Sequence, residues 1–341
     1  MFDVILIYFL AYFSLLSVIV CVGLFLNFRK EKDYTADGQH IQLNDLVVII
    51  PFRDEAHRIG VIIDSINKLN TLPKEFVFIN DHSVDNTIDL IHKGLRVENY
   101  RVLDLPENTT GKKAGIRYGV EHSESQFILT TDADIIFNAS YFENISNLEE
   151  AEMYLMPVTM KAKKAFGELY EIDLILVNAV NVGLAGLKRP IMASGANLLF
   201  DRAAFNAYDT IEFHKHVASG DDMYLLRDFR ENKADVRLIS NPDFGIETET
   251  PQSFKEFIDQ RLRWLGKTGD LKDHLSTSLT IFQAVLTTFF FGALFYYLII
   301  GELAIALILL GWKTGIDLLL FAPYFYRIQR MKTWLFIPFY E

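Results

Sequence analysis

Apolar positions fall into three regimes along the 341 residues. Residues 2–26, "FDVILIYFLAYFSLLSVIVCVGLFL", carry a single charge, Asp3, in a run long enough to cross a bilayer as a helix. The far end repeats the signal: 279–312 are apolar except for Gln283 and Glu302, and "IDLLLFAPYFY" extends the run to 326. That texture predicts two further spans, near 279–300 and 303–323. Lys313 and Asp317 stand at the i, i+4 spacing that lets them pair on one helix face. Between the ends, short β-branched runs alternate with amphipathic stretches. "LVVII" (46–50), "EFVFIND" (75–81), "YRVLDL" (100–105) and "QFILTTDAD" (126–134) predict strands, and "DEAHRIGVIIDSINKL", "NTIDLIHKGL" and "KKAGIRYGVEHS" predict the helices between them. This order implies an α/β domain with a parallel sheet and helices on both faces. Ligands bind such sheets at the carboxyl ends of the strands.

After Asp134 the pattern loosens. "IMASGANLLFDRAAF" (191–205) reads as small residues, a strand and a helix start, and "HVASGDDMYLLRDF" (216–229) places Asp221 and Asp222 just ahead of a helix. "EFIDQRLRWLGK" (256–267) predicts a basic, aromatic amphipathic helix leading into the membrane. The expected organisation is an anchor over 1–27, a polar linker over 28–44, an α/β domain over 45–275 with an interfacial helix near 253–267, and a membrane region of about two spans over 276–341.

Charge refines this picture. A signal peptide would begin basic, whereas here Arg29, Lys30 and Lys32 follow the apolar run, which predicts an anchor in the cell membrane with its downstream side in the cytoplasm. Arg327, Arg330 and Lys332 fall on the same side after two further spans. The net charge of −11 resides in the middle of the chain and argues against nonspecific nucleic-acid binding. The single cysteine, Cys21, excludes a disulfide framework and a zinc–cysteine site.

The chemistry gathers at strand ends. In "ILTTDADIIF", Asp132 and Asp134 sit two positions apart, and like charges so placed require a cation between them or a retained proton. A solvated turn is the plain alternative, but 51–55, 81–85 and 132–134 all fall at the same ends of consecutive strands. A paired carboxylate there suits Mg²⁺ or Mn²⁺, which keeps substrate phosphates among its ligands and improves a diphosphate leaving group. Lys112 and Lys113 open a helix, where they would neutralise phosphate charge or simply face solvent. Asp81 stands where a base or ribose would be held, and Asp85 caps the next helix. His214 and His216 read as loop histidines rather than metal ligands.

The ordered set Asp81, Asp132-Ala133-Asp134, Asp222 and Gln260-Arg261-Leu262-Arg263-Trp264 resembles the "D, D, D, Q-Q/R-x-R-W" pattern of membrane-bound family 2 glycosyltransferases, the group of cellulose, chitin and hyaluronan synthases and ceramide glucosyltransferases. "VVIIPFRDE" is similar to the family's "P-x-x-N-E" with Asp54 in place of Asn, and "GKKAGIRYG" to its "G-K-x-x-A-L-N-x-G" with Arg117 in place of Asn. "SGDDMYLL" is similar to its "T-E-D-x-D-L", with Asp221 for Glu and Met223-Tyr224 for x-D. The resemblance covers roughly 45–270. It implies a GT-A fold, Rossmann-like, flanked by transmembrane helices, and direct, inverting transfer of a sugar from a UDP- or GDP-linked donor. Pro51, Arg53, Glu55 and Asp81 would hold the nucleoside. Asp132, Lys112 and Asp134 would hold the diphosphate, Asp134 and Asp132 through the metal. Asp222 would be the general base, supported by Asp221. Gln260, Arg261, Arg263 and Trp264 would close over the diphosphate and line the acceptor entrance. The compact domain and few spans point to a lipid or lipid-linked acceptor, with a glycan as the alternative. Two rival functions are a non-catalytic membrane protein with a degenerate domain and a metal-dependent nucleotidyltransferase.

Overall fold

The computed structural model describes residues 2–36, 38–161, 165–209, 221–270 and 274–340; at 2–5, 7–9, 12, 165–166, 221, 264–270, 274–276 and 280 the description is of the backbone alone. His214 and His216 lie outside the described residues. Four parallel strands form one half of the main sheet: β1 (Leu46–Phe52), β2 (Glu75–Asn80), β3 (Tyr100–Asp104) and β4 (Phe127–Thr130). They are joined by α2 (Gly60–Ile66), α3 (Thr87–Gly94) and α4 (Lys112–Glu121). After β4 come β5 (Ile136–Phe137), α5 (Tyr141–Ile145), β6 (Met153–Leu155), β7 (Val158–Lys161) and α6 (Ala165–Gly186). The domain continues through β8 (Leu198–Asp201), α7 (Arg202–Tyr208), α8 (Asp221–Glu231), β9 (Val236–Leu238) and β10 (Ile246–Glu249).

Among the described residues the main sheet has seven strands in the order β3-β2-β1-β4-β8-β6-β9, and β5-β10-β7 form a small second sheet. β8 runs antiparallel to both neighbours, so the sheet is parallel-dominated rather than wholly parallel. Alternation along β1 explains why both faces are covered. Val47 and Ile49 join Val77, Ile79 and Ile128 beneath α4, α6, α7 and α8, while Leu46, Val48 and Ile50 join Phe76 and Phe78 beneath α2, α3 and α5. The chain leaves β1 outward to β2 and β3, then returns over α4 to β4 on the other side of β1. That reversal opens a crevice beyond the ends of β1 and β4.

Helix α4 lies unusually close to β1. A Cβ on Gly119 would come within 2.8 Å of Ile49, and one on Gly115 within 3.1 Å of Pro51. The close approach delivers the α4 N-terminus to the crevice. Helix α2 starts later than its apolar spacing predicts, because Asp54 takes a left-handed conformation (φ 54°) and turns the chain before Gly60.

Among the described residues, four stretches are long and apolar enough to cross a membrane: Phe13–Thr35, Gly167–Gly186, Thr277–Ile299 and Leu303–Arg327. The first lies mostly in α1 (Phe2–Lys30), and the last two in α10 (His274–Ile299) and α11 (Leu303–Arg327), which follow α9 (Phe254–Asp270). The second lies in α6, and 56% of it is buried, against 17–22% for the others. We therefore read α6 as a helix of the domain. It crosses α1 at glycines: a Cβ on Gly183 would come within 2.8 Å of the Val20 carbonyl, so the backbones touch there.

Residues 28–44 are expected as a linker, but the described part of that stretch, 28–36 and 38–44, is built into the structure. Residues 28–30 complete α1, Ile41 is buried, and Glu31, directly after α1, is buried as well. Glu31 accepts hydrogen bonds from Ser240 Oγ (2.6 Å) and the Asn241 N–H (2.8 Å) and pairs with Arg327 of α11 at 3.1 Å. Arg330 reaches Glu171 on α6 and Glu247 on β10, each at 3.3 Å.

Candidate active site

Three segments meet in the crevice. The first follows β1. Pro51 lies against α4, and Arg53 stands 4.0 Å from Asp81 and donates to Thr110 Oγ1 at 3.4 Å. The turn is locked by reciprocal bonds: the Asp54 N–H donates to Ser83 Oγ (3.0 Å), and the Val84 N–H donates to Asp54 Oδ1 (2.8 Å). Aspartate tolerates the left-handed conformation better than most residues and also supplies the acceptor, which accounts locally for its presence.

The second segment carries Asp81 and the entrance to α4. Asp81 is buried, and its two oxygens accept from Thr110 Oγ1 and the Gly111 N–H, both at 2.8 Å. It thereby fixes the loop whose Gly111 (φ 97°) turns the chain into α4. Asp85 accepts from the Thr87 N–H at the start of α3 and from the Ala56 N–H, each at 3.0 Å, tying the two loops together.

The third is the aspartate pair. β4 ends at Thr130, so Asp132 and Asp134 lie in the turn beyond it, with the Ala133 side chain buried between them. Each carboxylate has a cation. Lys112 donates to Asp132, and Arg58 Nη1 donates to Asp134 Oδ2 at 2.8 Å. Burial raises the Asp134 pKa above the ordinary carboxylate range; Arg58 opposes the shift and Asp132 adds to it. Glu55 is drawn in through Arg58, whose Nη2 donates to Glu55 Oε1 at 2.7 Å.

Asp222, in the first turn of α8, joins this group from the other side. Its Oδ2 accepts from the Gly195 N–H at 3.1 Å. A Cβ built on Gly195 would sit 3.4 Å from Lys112 Nζ and 3.6 Å from Asp222 Cβ. Gly195 thus lets the lysine that holds Asp132 and the segment bearing Asp222 approach one another. Its loop is fixed by buried Asn197, which donates to the carbonyls of Pro157 (2.8 Å) and Phe244 (3.0 Å). Asp221 opens the same helix.

Pro51, Arg53, Glu55, Asp81, Lys112, Asp132, Asp134 and Asp222 are therefore brought to one crevice. The residues of α9 stand differently. Arg261 pairs with Asp173 on α6 and lies 5.1 Å over the Phe257 ring, which itself stacks on Tyr170 at 4.4 Å. Burial lowers the Arg261 pKa. Gln260 is half-buried and Arg263 exposed on the same helix, and the side chain of Trp264 lies outside the description. Sequence reasoning missed Arg58 and Gly195. The i, i+3 spacing of Glu55 and Arg58 was a local signal, but contact with Asp134, 76 residues away, was not legible.

The pair Asp132–Asp134 offers hard oxygen donors, and among the described residues no cluster of three or more His, Cys, Asp or Glu side chains could hold a metal. Two carboxylates suit an ion such as Mg²⁺ or Mn²⁺ that takes one or two protein ligands and completes its shell with phosphate oxygens and water.

Known proteins resemble this chain in sequence and in fold. Residues 47–208, just under half of the chain, match the Glycosyl transferase family 2 model. The poly-beta-1,6-N-acetyl-D-glucosamine synthase of Staphylococcus epidermidis is 24% identical over 115 residues, covering 33% of this chain and 28% of that one. Its counterpart from Staphylococcus aureus (strain COL) is 28% identical over 108 residues, covering 32% and 25%. The chain thus spans little more than a quarter of the length of these curated relatives. The mannosyltransferase PcManGT from Pyrobaculum calidifontis, solved in complex with GDP-Man and Mn²⁺, aligns over 96% of this chain and 97% of its own, with 14% identity and a TM-score of 0.50. At that identity the likeness is one of fold. The architecture is an α/β GT-A domain flanked by long apolar helices.

Proposed function

We propose that the chain is a membrane-anchored, inverting family 2 glycosyltransferase that moves a sugar from a nucleoside-diphosphate donor to an acceptor hydroxyl. One observation carries the reading. Asp132–Asp134 and Asp222, some 90 residues apart, are brought into one crevice through Lys112 and Gly195, at the point where the sheet reverses its strand order. The segment matched to family 2 and the neighbour bound to GDP-Man and Mn²⁺ support the same assignment.

In this reading Arg53, Glu55 and Asp81 shape the nucleoside pocket, and Lys112 supplies positive charge to the diphosphate. Asp132 and Asp134 would hold Mg²⁺ or Mn²⁺, whose chemistry is to stabilise charge on the departing diphosphate. Asp222 takes the proton of the acceptor hydroxyl as that oxygen attacks the anomeric carbon and the nucleoside diphosphate leaves. Gln260, Arg263 and Trp264 border the acceptor side, with Arg261 held to α6. The acceptor is a lipid or lipid-linked hydroxyl, because α9 runs toward α10 with Phe254 and Leu262 exposed along it.

Purified full-length protein given UDP- or GDP-sugars and Mn²⁺ is expected to release nucleoside diphosphate. Release of pyrophosphate instead would identify a nucleotidyltransferase, and no turnover of any donor would indicate a non-catalytic domain. Arg29, Lys30 and Lys32 after the first span support a cytoplasmic position for the domain. A reporter fused after Lys32 should be cytoplasmic; signal from the opposite side would reverse the topology and remove access to cytosolic donors.

A further inference from the structure

The cation that faces Asp134 is supplied by the chain itself. Arg58 leaves the turn beyond β1 and is gripped by Glu55 through both Nε and Nη2, the latter to Oε1 at 2.7 Å. Its remaining terminal nitrogen, Nη1, donates to Asp134 Oδ2 at 2.8 Å. A planar guanidinium bonded on two edges is fixed in direction, unlike a solvated surface arginine. Half of its side chain is shielded, and Asp134 is more shielded still, at 45% and 25% exposure. The lone pairs of Asp134 Oδ2 that meet Arg58 are among those a divalent ion would use. Two cations on one carboxylate oxygen repel each other, so occupancy by one weakens the other.

We propose that Arg58 is a built-in competitor for the divalent ion at Asp134 and so sets the metal affinity of the site. The ion gains full use of Asp134 only as Arg58 yields it. Glu55 then keeps the released guanidinium at the mouth of the crevice, close to where a donor diphosphate would lie. Arg58 is a positioning residue that acts through Asp134, and the inference rests on the metal assignment made above.

The test is Mn²⁺ binding followed by electron paramagnetic resonance on the full chain in detergent, without donor, for wild type, Arg58→Gln, Arg58→Lys and Asp134→Asn. Thermal unfolding serves as a check that each variant is folded. Arg58→Gln should bind Mn²⁺ about fivefold more tightly, the upper range for a partly exposed ion pair. Arg58→Lys keeps the charge without the fork and should fall between Gln and wild type. Should Arg58→Gln fail to fold, tighter binding by Arg58→Lys supports the proposal, and equal or weaker binding overturns it. Equal or weaker binding by folded Arg58→Gln, with binding lost in Asp134→Asn, overturns the competition and leaves the metal site standing. Wild-type binding by Asp134→Asn overturns the metal assignment and the competition together.

Discussion

Asp134→Ala is expected to reduce metal-dependent donor turnover by roughly 10²–10³-fold, the scale of loss when a stabiliser of developing charge is removed. The protein should stay folded. Asp134 lies in the turn after β4, outside both apolar cores, and Arg58 keeps its grip on Glu55 when the carboxylate is gone. The substitution also relieves repulsion between Asp134 and Asp132, so thermal unfolding should change little. Nucleoside diphosphate release at saturating Mn²⁺ measures the effect. Unchanged turnover there would remove Asp134 from the metal site. A large fall in unfolding temperature would instead mark it as a structural residue.

Asp222→Asn tests the base. The amide preserves shape and can still accept the Gly195 N–H bond that Asp222 Oδ2 accepts at 3.1 Å, but it cannot take a proton. Donor binding should survive while transfer falls by roughly two orders of magnitude or more, the contribution of a positioned base. Asp221→Asn should cost far less, because its expected role is to favour the start of α8. If both aspartates only supported that helix start, the two variants would be similarly mild and would act through stability. Nucleotide binding and transfer measured on both separate the cases. A larger loss of transfer at Asp221 would move the base to that carboxylate.

Much of the first half of the domain was legible because β1, β2 and β4 are almost wholly buried and carry near-continuous apolar runs, each closed by a polar turn, whereas β3 is only partly buried. Leu46–Phe52 and Glu75–Asn80 are both read this way. The late start of α2 was not legible, since it depends on Asp54 adopting a left-handed conformation against Ser83 and Val84. Beyond Asp134 the strands shrink: β6 and β9 have three residues each and β5 has two, too few for any period to show. Helix α6 escaped notice because Glu168, Glu171 and Asp173 interrupt its apolar run. Two of these, Glu171 and Asp173, meet Arg330 and Arg261, partners far along the chain. The candidate site followed the same rule. Residues at strand ends could be found from the strands, whereas Arg58 and Gly195 matter through contacts across the crevice.

The buried Glu31 has a practical consequence for handling the molecule. It ties the end of α1 to Arg327 of α11 and to the Ser240–Asn241 loop, and the core under the sheet includes Leu24, Leu320, Phe321 and Phe325 from those two helices. The long apolar helices α1 and α11 and the domain therefore share one interior. An excised fragment cut at 45 and 275 would strip that interior of one wall, leave Ser240 and the Asn241 N–H without their acceptor, and expose an apolar face prone to aggregation. Work on the isolated domain is better begun by protecting that face, in detergent or nanodiscs with both ends of the chain retained, than by trimming toward a water-soluble piece.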